Sequence, residues 1–310
     1  MDINEIFNLW TGMYLFDLFR YLIPASLAFL IFWVIGKNNW KHLFIQKVFP
    51  KQLQIFKEFA YSMCTVVIFS IVGFGIYTAE MAGVTLIYDD VNQYGITYMI
   101  MSFILTLVFH DFYFYWTHRF MHHKKIFKYV HRVHHESTNP SPWAAYSFHP
   151  WEALIQAMVL PIMVLIFPLH PLVIFLFLTY MIVRNVIGHL GFEIFPKGFT
   201  KNKWLNWTTA VTHHNIHHER FNSNYGLYFS WWDRWMKTED KKYHHDFEEV
   251  KSRTKMRELK SRKKASITIS ILLISCSFLT AQHVEGKWNT YNEAAGSPLP
   301  GIEMYSSALN

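Results

Sequence analysis

The chain of 310 residues is long enough for one or two domains, and 52% of it is hydrophobic and 18% aromatic, a balance that points away from an ordinary soluble enzyme. The net charge of +7 would suit nucleic acid, but the lysines and arginines sit beside apolar runs with no recognition motif to organise them. A membrane surface explains them, and no nucleic-acid partner is expected. The only two cysteines, Cys64 and Cys276, lie inside apolar runs without partner spacing, so nitrogen and oxygen are left as donors for any metal.

In chain order, Tyr21 to Gly36, Ala60 to Ala79 and Ile96 to Trp116 are apolar runs that approach the ~20 residues an α-helix needs to cross a bilayer. Lys37, Lys41, Lys47, Lys51 and Lys57 crowd the first connection, whereas Glu80, Asp89 and Asp90 are the charges of the second. The positive-inside rule makes the first loop cytoplasmic and the second external. The third run then returns to Arg119, Lys124, Lys125, Lys128 and Arg132. Pro161, Pro168 and Pro171 interrupt Ala153 to Gly188, with Phe167 to Pro171 as the turn of a helical hairpin. Its halves, Ala153 to Pro168 and Leu172 to Gly188, are short, so the hairpin either crosses and returns or re-enters without crossing. Both arrangements leave the basic stretch from Lys197, and every histidine cluster, on the cytoplasmic side.

Residues 1–108 therefore read as N-terminal membrane helices, 109–240 as a histidine-rich region containing the membrane hairpin 153–188, and 241–265 as a basic tail. Lys260 to Lys264, the apolar run Ile267 to Leu279 and Thr280-Ala-Gln282 have the layout of a secretory signal peptide in the wrong place. Residues 266–310 read as a fusion or read-through into a small secreted bacterial domain, or else as a final short anchor. A multi-pass protein of a bacterial inner membrane is expected.

Of the 18 histidines, 14 lie between His110 and His218. His118 and His122 are four apart, His131, His134 and His135 repeat as i, i+3, i+4, and His214, His217 and His218 repeat that pattern. On a helix these offsets place imidazoles on one face, within reach of a common ion. Imidazole suits iron, zinc, copper or nickel, and one ion takes four to six donors, so eight clustered histidines point to two metals. A structural zinc site would use cysteine and stop at four ligands.

His118-Arg-Phe-Met-His122, His131-Arg-Val-His-His135 and His213-His-Asn-Ile-His-His218 resemble the three boxes of the fatty acid hydroxylase / sterol desaturase superfamily. The flanks are similar too: Asp111, His149-Pro150-Trp-Glu152, His189-Leu-Gly-Phe-Glu193, Asn224-Tyr-Gly226 and Trp232-Asp-Arg234. The resemblance covers Phe109 to Thr238. It implies a non-haem centre of two iron ions that binds O2 under a cytoplasmic cap, a membrane-lipid substrate, and electrons from a separate cytochrome b5, ferredoxin or reductase. By resemblance the metal positions fall on His118, His122, His131, His134, His135, His189, His214, His217 and His218, with His213 as a further ligand. His189 stands alone in its box, where a fully paired version would carry a histidine at Asn185; Asn185 would reach metal through a water.

The remaining histidines are expected elsewhere. His110 and His123 are off the box spacing, His149 would support a metal ligand through a hydrogen bond, and His170, His244 and His245 would be solvated. Trp231, Trp232 and Trp235 would form an interfacial belt or wall a lipid tunnel. The expected fold is an all-α integral membrane protein with four or five membrane helices and a cytoplasmic helical cap carrying the di-metal site. The expected activity is O2-dependent hydroxylation or desaturation of a C–H bond of a sterol, fatty acyl or related lipid. An intramembrane metalloprotease would need His-Glu-x-x-His, which neither His135-Glu136 nor His218-Glu219 completes. A histidine-rich metal-binding or transport protein would need ligands strung through the bilayer.

Overall fold

Helices whose outer faces are apolar dominate the computed structural model, which describes residues 2–253, 259–261, 264 and 266–268. These fall in two units, Met1–Thr254 and Lys255–Asn310. The described residues of the second unit are helical, and the rest of the segment 266–310, with its signal-like pattern and Cys276, lies outside the described residues.

In the first unit α1 spans Ile3–Ala28 and continues as a π-helical segment, Phe29–Ile35. Its start is set by a capping box: the Asp2 carboxylate accepts from the Asn4 and Glu5 amides, and Glu5 accepts from the Asp2 amide. The helix begins well before the apolar run at Tyr21, because Asp17 and Arg20, which break that run in the sequence, pair with each other inside the protein. At 33 residues and about 1.5 Å per residue, it outreaches the ~30 Å hydrocarbon layer.

α2 spans Gln52–Met81 and α3 Gly95–Met121. Two one-turn helices follow, α4 (Phe127–Val130) and α5 (Arg132–His135), then a 3-10 segment, Pro142–Tyr146. The hairpin is built from α6 (Pro150–Ala157), α7 (Val159–Ile166) and α8 (Pro171–Gly188). α9 (Val211–Arg220) and α10 (Trp231–Trp235) complete the named helices, and residues 243–253 are also helical. Among the described residues there is no β-strand, only isolated bridges.

Four helices, Ile3–Ile35, Gln52–Met81, Gly95–Met121 and Pro171–Gly188, are long and apolar enough to cross a membrane. Ile23, Leu27, Ile71, Ile100 and Phe175 are exposed along them, a surface suited to lipid. The tip of the α7–α8 hairpin lies against the α2–α3 loop: Leu86 and Tyr88 amides donate to the Val164 and Leu169 carbonyls. The hairpin therefore reaches the same level as the far ends of α2 and α3.

At the opposite end, Trp33 ties the π-helical end of α1 to the turn that follows α8. Its indole N–H donates to the Leu190 carbonyl at 2.9 Å, and its ring meets Phe44, Phe49 and Phe192 edge-on. Gly191 takes φ +76° there, with the Trp33 and Phe44 rings 3.1 and 3.2 Å from where a Cβ would stand, so the turn demands glycine. The 243–253 segment closes over this cluster through Val250, while Lys251 donates to the Glu193 carbonyl and Arg253 to the Phe44 and Ile45 carbonyls; Tyr243 and Phe247 pack instead with Phe199, Ala210 and Ile216. Replacing Trp33 with Ala should cost about 3–5 kcal/mol and, because His189 begins that turn, should weaken metal retention as well. Thermal unfolding in detergent with parallel metal analysis would measure both, and a wild-type midpoint would refute the linkage.

Candidate metal centre

The nine histidines of the boxes meet because four helices arrive at one place. His118 lies in the last turn of α3 and His122 caps it; His131 caps α5, which carries His134 and His135; His214, His217 and His218 line α9; and His189 caps α8. Successive residues on a helix point about 100° apart. His134 and His135 consequently diverge, as do His217 and His218.

The histidines sort into two groups, each with its ligand nitrogens within 4.8 Å of one another: His118, His122, His131, His135 and His217 in one, and His134, His189, His214 and His218 in the other. The triplets therefore do not each serve a common ion, as their spacing suggested. His131 and His135 go to the first group and His134 to the second, while His214 and His218 go to the second and His217 to the first.

The hydrogen bonds at the far side of each ring fix which nitrogen faces inward. His118 Nδ1 donates to the Tyr225 carbonyl (2.9 Å), His131 to Glu152 Oε1 (2.7 Å), His189 to the Asn185 carbonyl (2.8 Å), His217 to the Ser223 carbonyl (2.7 Å), His218 to the Ser137 carbonyl (2.8 Å), and His134 more loosely to the Ser147 carbonyl (3.3 Å). A ring that donates from Nδ1 presents a bare lone pair at Nε2. Yet His118 and His131 bring their Nε2 atoms to 3.0 Å, His189 and His218 to 3.2 Å, and His134 and His189 to 3.4 Å. Two lone pairs cannot hydrogen-bond to each other; they converge favourably only on a cation. A metal–nitrogen bond of about 2.1 Å would separate adjacent donors by roughly 3.0–3.4 Å, so the residues fit a metal in each group.

Burial, and then repulsion from neighbouring imidazoles, holds His131, His134, His135, His214, His217 and His218 well below the ordinary imidazole range. For the same reasons His122 is pulled down to about 2 and His189 to about 4. The rings are therefore neutral near pH 7, the form that binds metal.

Other expected residues land elsewhere. His213 turns away from both groups: its Nε2 lies 3.3 Å from Asp233 Oδ2, because on α9 it sits one step, about 100°, off the His214 and His218 line. Asp233 also accepts from the Tyr225 and Gly226 amides and from Thr238, which holds the loop whose Tyr225 carbonyl orients His118. Gly226 is required for that approach, since a Cβ would stand 2.5 Å from the Phe229 carbonyl oxygen and 2.9 Å from Asp233 Oδ2. His149 caps α6 by accepting from the Trp151 amide, and Glu152, one turn on, is the residue that supports a box histidine.

Asn185 is committed as well, its amide donating to the Ala145 carbonyl at 2.7 Å while its own carbonyl orients His189. His110 is buried against the Tyr228 hydroxyl, and Asp111 accepts from the Tyr228 and Phe229 amides and the Trp231 indole. His123 is exposed, His170 caps α8, and His244 and His245 face Glu239 and Asp246.

The model of the fatty acid hydroxylase family matches residues 103–238. The chain is 33% identical over 220 residues to Delta(7)-sterol 5(6)-desaturase ERG3B of Gibberella zeae, covering 70% of this chain and 64% of that protein. It is 30% identical over 235 residues to Delta(7)-sterol 5(6)-desaturase erg31 of Schizosaccharomyces pombe, covering 75% and 71%. The chain belongs to the fatty acid hydroxylase / sterol desaturase superfamily. Another superfamily relative, lathosterol oxidase of Rattus norvegicus, is 32% identical over 183 residues, covering 58% of this chain and 60% of that one. The matches thus span less than two thirds of the Gibberella and rat proteins. All three relatives are eukaryotic and lend no support to a bacterial inner membrane. No solved structure matches the chain.

Since the histidines titrate near 6.5 when unfolded and lower when folded, the unfolded chain binds more protons between those values, and stability falls as pH drops through that window. Acidification from pH 7 to about 5 should release metal and lower the unfolding temperature together. Metal retention unchanged at pH 5 would contradict the neutral-imidazole site.

Proposed function

We propose that the protein is an O2-dependent di-iron enzyme that hydroxylates or desaturates a C–H bond of a membrane lipid, with a sterol as the first candidate because the sampled relatives are named for sterol desaturation and lathosterol oxidation. The observation that carries the reading is the convergence of donor-side lone pairs in two adjacent groups, His131 and His134 being 5.2 Å apart between ring centroids. His118, His122, His131, His135 and His217 would hold one iron and His134, His189, His214 and His218 the other. When bound, the two irons would supply activation of O2 for removal of hydrogen from an unactivated carbon.

The chain's own contribution is access and orientation. A cavity of about 340 Å3, mostly apolar, runs between α1, α2, α3 and α8 and reaches Phe114, Phe148 and Asn185. Phe114 packs on His118 at 5.0 Å and Phe148 on His134 at 5.2 Å between ring centroids. Lipid entering from the membrane side would lie against these rings with water excluded, and Glu152 would hold the Nδ1 proton of His131 so that its Nε2 stays available. Every box histidine lies at or beyond the ends of the spans rather than along a path through them, which favours chemistry over transport. By the lysine distribution this end faces the cytoplasm, where a cytochrome b5, ferredoxin or reductase would deliver electrons.

Wild-type protein purified in detergent should carry about two irons per chain. His134→Ala and His217→Ala should each lose metal and at least about 100-fold in lipid turnover, Glu152→Gln should retain metal about 10–100-fold more weakly, and His213→Ala should keep its iron. Full turnover by His217→Ala would sink the assignment. Removing residues 265–310 should leave turnover unchanged, and loss of folding on that deletion would show the segment to be part of the enzyme.

A further inference from the structure

Besides Glu80 near the end of α2, the described residues of the cavity wall include one pair of oppositely charged side chains within the α1 span. Asp17 and Arg20 on α1 both line it, with side chains 11% and 6% exposed. Arg20 directs Nε and Nη2 to the same carboxylate oxygen, Asp17 Oδ1, at 3.2 and 2.5 Å, and Nη1 to the Tyr146 hydroxyl at 3.1 Å and the Leu178 carbonyl at 3.2 Å. These hydrogen bonds use only Oδ1 of Asp17, leaving its Oδ2 and one Nη2 proton outside them. Charges inside a membrane span are costly and are retained where they meet a ligand or a partner.

We propose that this pair seats the hydroxyl head of the lipid substrate, a reading that rests on the proposed lipid oxygenase activity. The pair is neutral overall, so it suits a neutral group that donates to Asp17 Oδ2 and accepts from Arg20; a carboxylate or sulfate would meet that Asp17 oxygen. Tyr146, bound to Arg20, also lines the cavity, with its ring 6.2 Å from Phe148, which is 5.2 Å from His134. A lipid anchored at Arg20 thus extends its hydrocarbon past two rings to the histidines. Phe16 and Phe175, 6.1 Å apart and both exposed, flank the opening between α1 and α8. The anchor selects by head group and sets which carbon arrives.

The test uses full-length protein in nanodiscs and two photoaffinity probes, a diazirine sterol with a free 3-hydroxyl and a diazirine hexadecanol. Competitors are the hydroxyl, deoxy and sulfate forms of each framework. The hydroxyl form should displace its probe at least about ten-fold better than the deoxy form in one framework or both, with the sulfate no better than the deoxy form. This preference should vanish in Arg20→Met and Asp17→Asn, with iron per chain held at the wild-type value, and return in part with Arg20→Lys. The head-group series on wild type stands even if a variant misfolds. Equal displacement by hydroxyl and deoxy forms in both frameworks, a preference that survives both substitutions, or no labelling of the cavity by either probe would overturn the anchor. Iron-free protein that keeps the preference would instead remove the oxygenase reading and leave the anchor standing.

Discussion

Buried imidazoles arranged nitrogen to nitrogen are repulsive unless something positive lies between them, and the architecture is organised around imposing that arrangement. Six of the rings are locked at Nδ1, five by main-chain carbonyls and one by Glu152. The Asn185 carbonyl comes from α8 and the others from connecting segments, and the segments around the site are themselves pinned. Asp233 holds the Tyr225 turn, Asp111 holds residues 228–231, and Trp33 holds the turn after His189. Carboxylates and an indole deep in the protein thus act on the site through the backbone, without touching it.

The membrane helices supply rigidity along their length and candidate ligands only at their ends. α3 and α8 each deliver histidines only at their final turn or cap, and the length of α1 and α2 beyond a bilayer's thickness carries their ends into the cap. Apolar side chains do two jobs there. On the outside they meet lipid, and on the inside they leave a cavity whose far wall is formed by the rings that pack on the histidines.

Much of this was legible in the sequence. The apolar runs marked the four long helices while leaving a fifth crossing open, and the repeated i, i+3, i+4 offsets marked the residues that come together. Three things stayed hidden, each for a physical reason. The division of the triplets between two groups follows from a 100° step that spacing alone does not resolve when only one face is sought. His213 looks like a box member because it adjoins His214, but it sits a helical step off the His214 and His218 line and meets Asp233, 20 residues further on. The role given to His149 belongs to Glu152, because Pro150 starts a helix and commits His149 to capping it, while main-chain acceptors such as the Ser223 carbonyl leave no side-chain trace.

The interleaving of the second and third boxes has a consequence for how the centre is assembled. Because α5 and α9 each contribute to both groups, neither group can be completed while the other is dismantled. With an ion in each group the two helices would be stitched together at two points, so loading should be concerted and a stable one-metal form disfavoured. Evolutionary loss of a single histidine would then not yield a mononuclear enzyme; it would unpick the seam that holds the cap over the membrane.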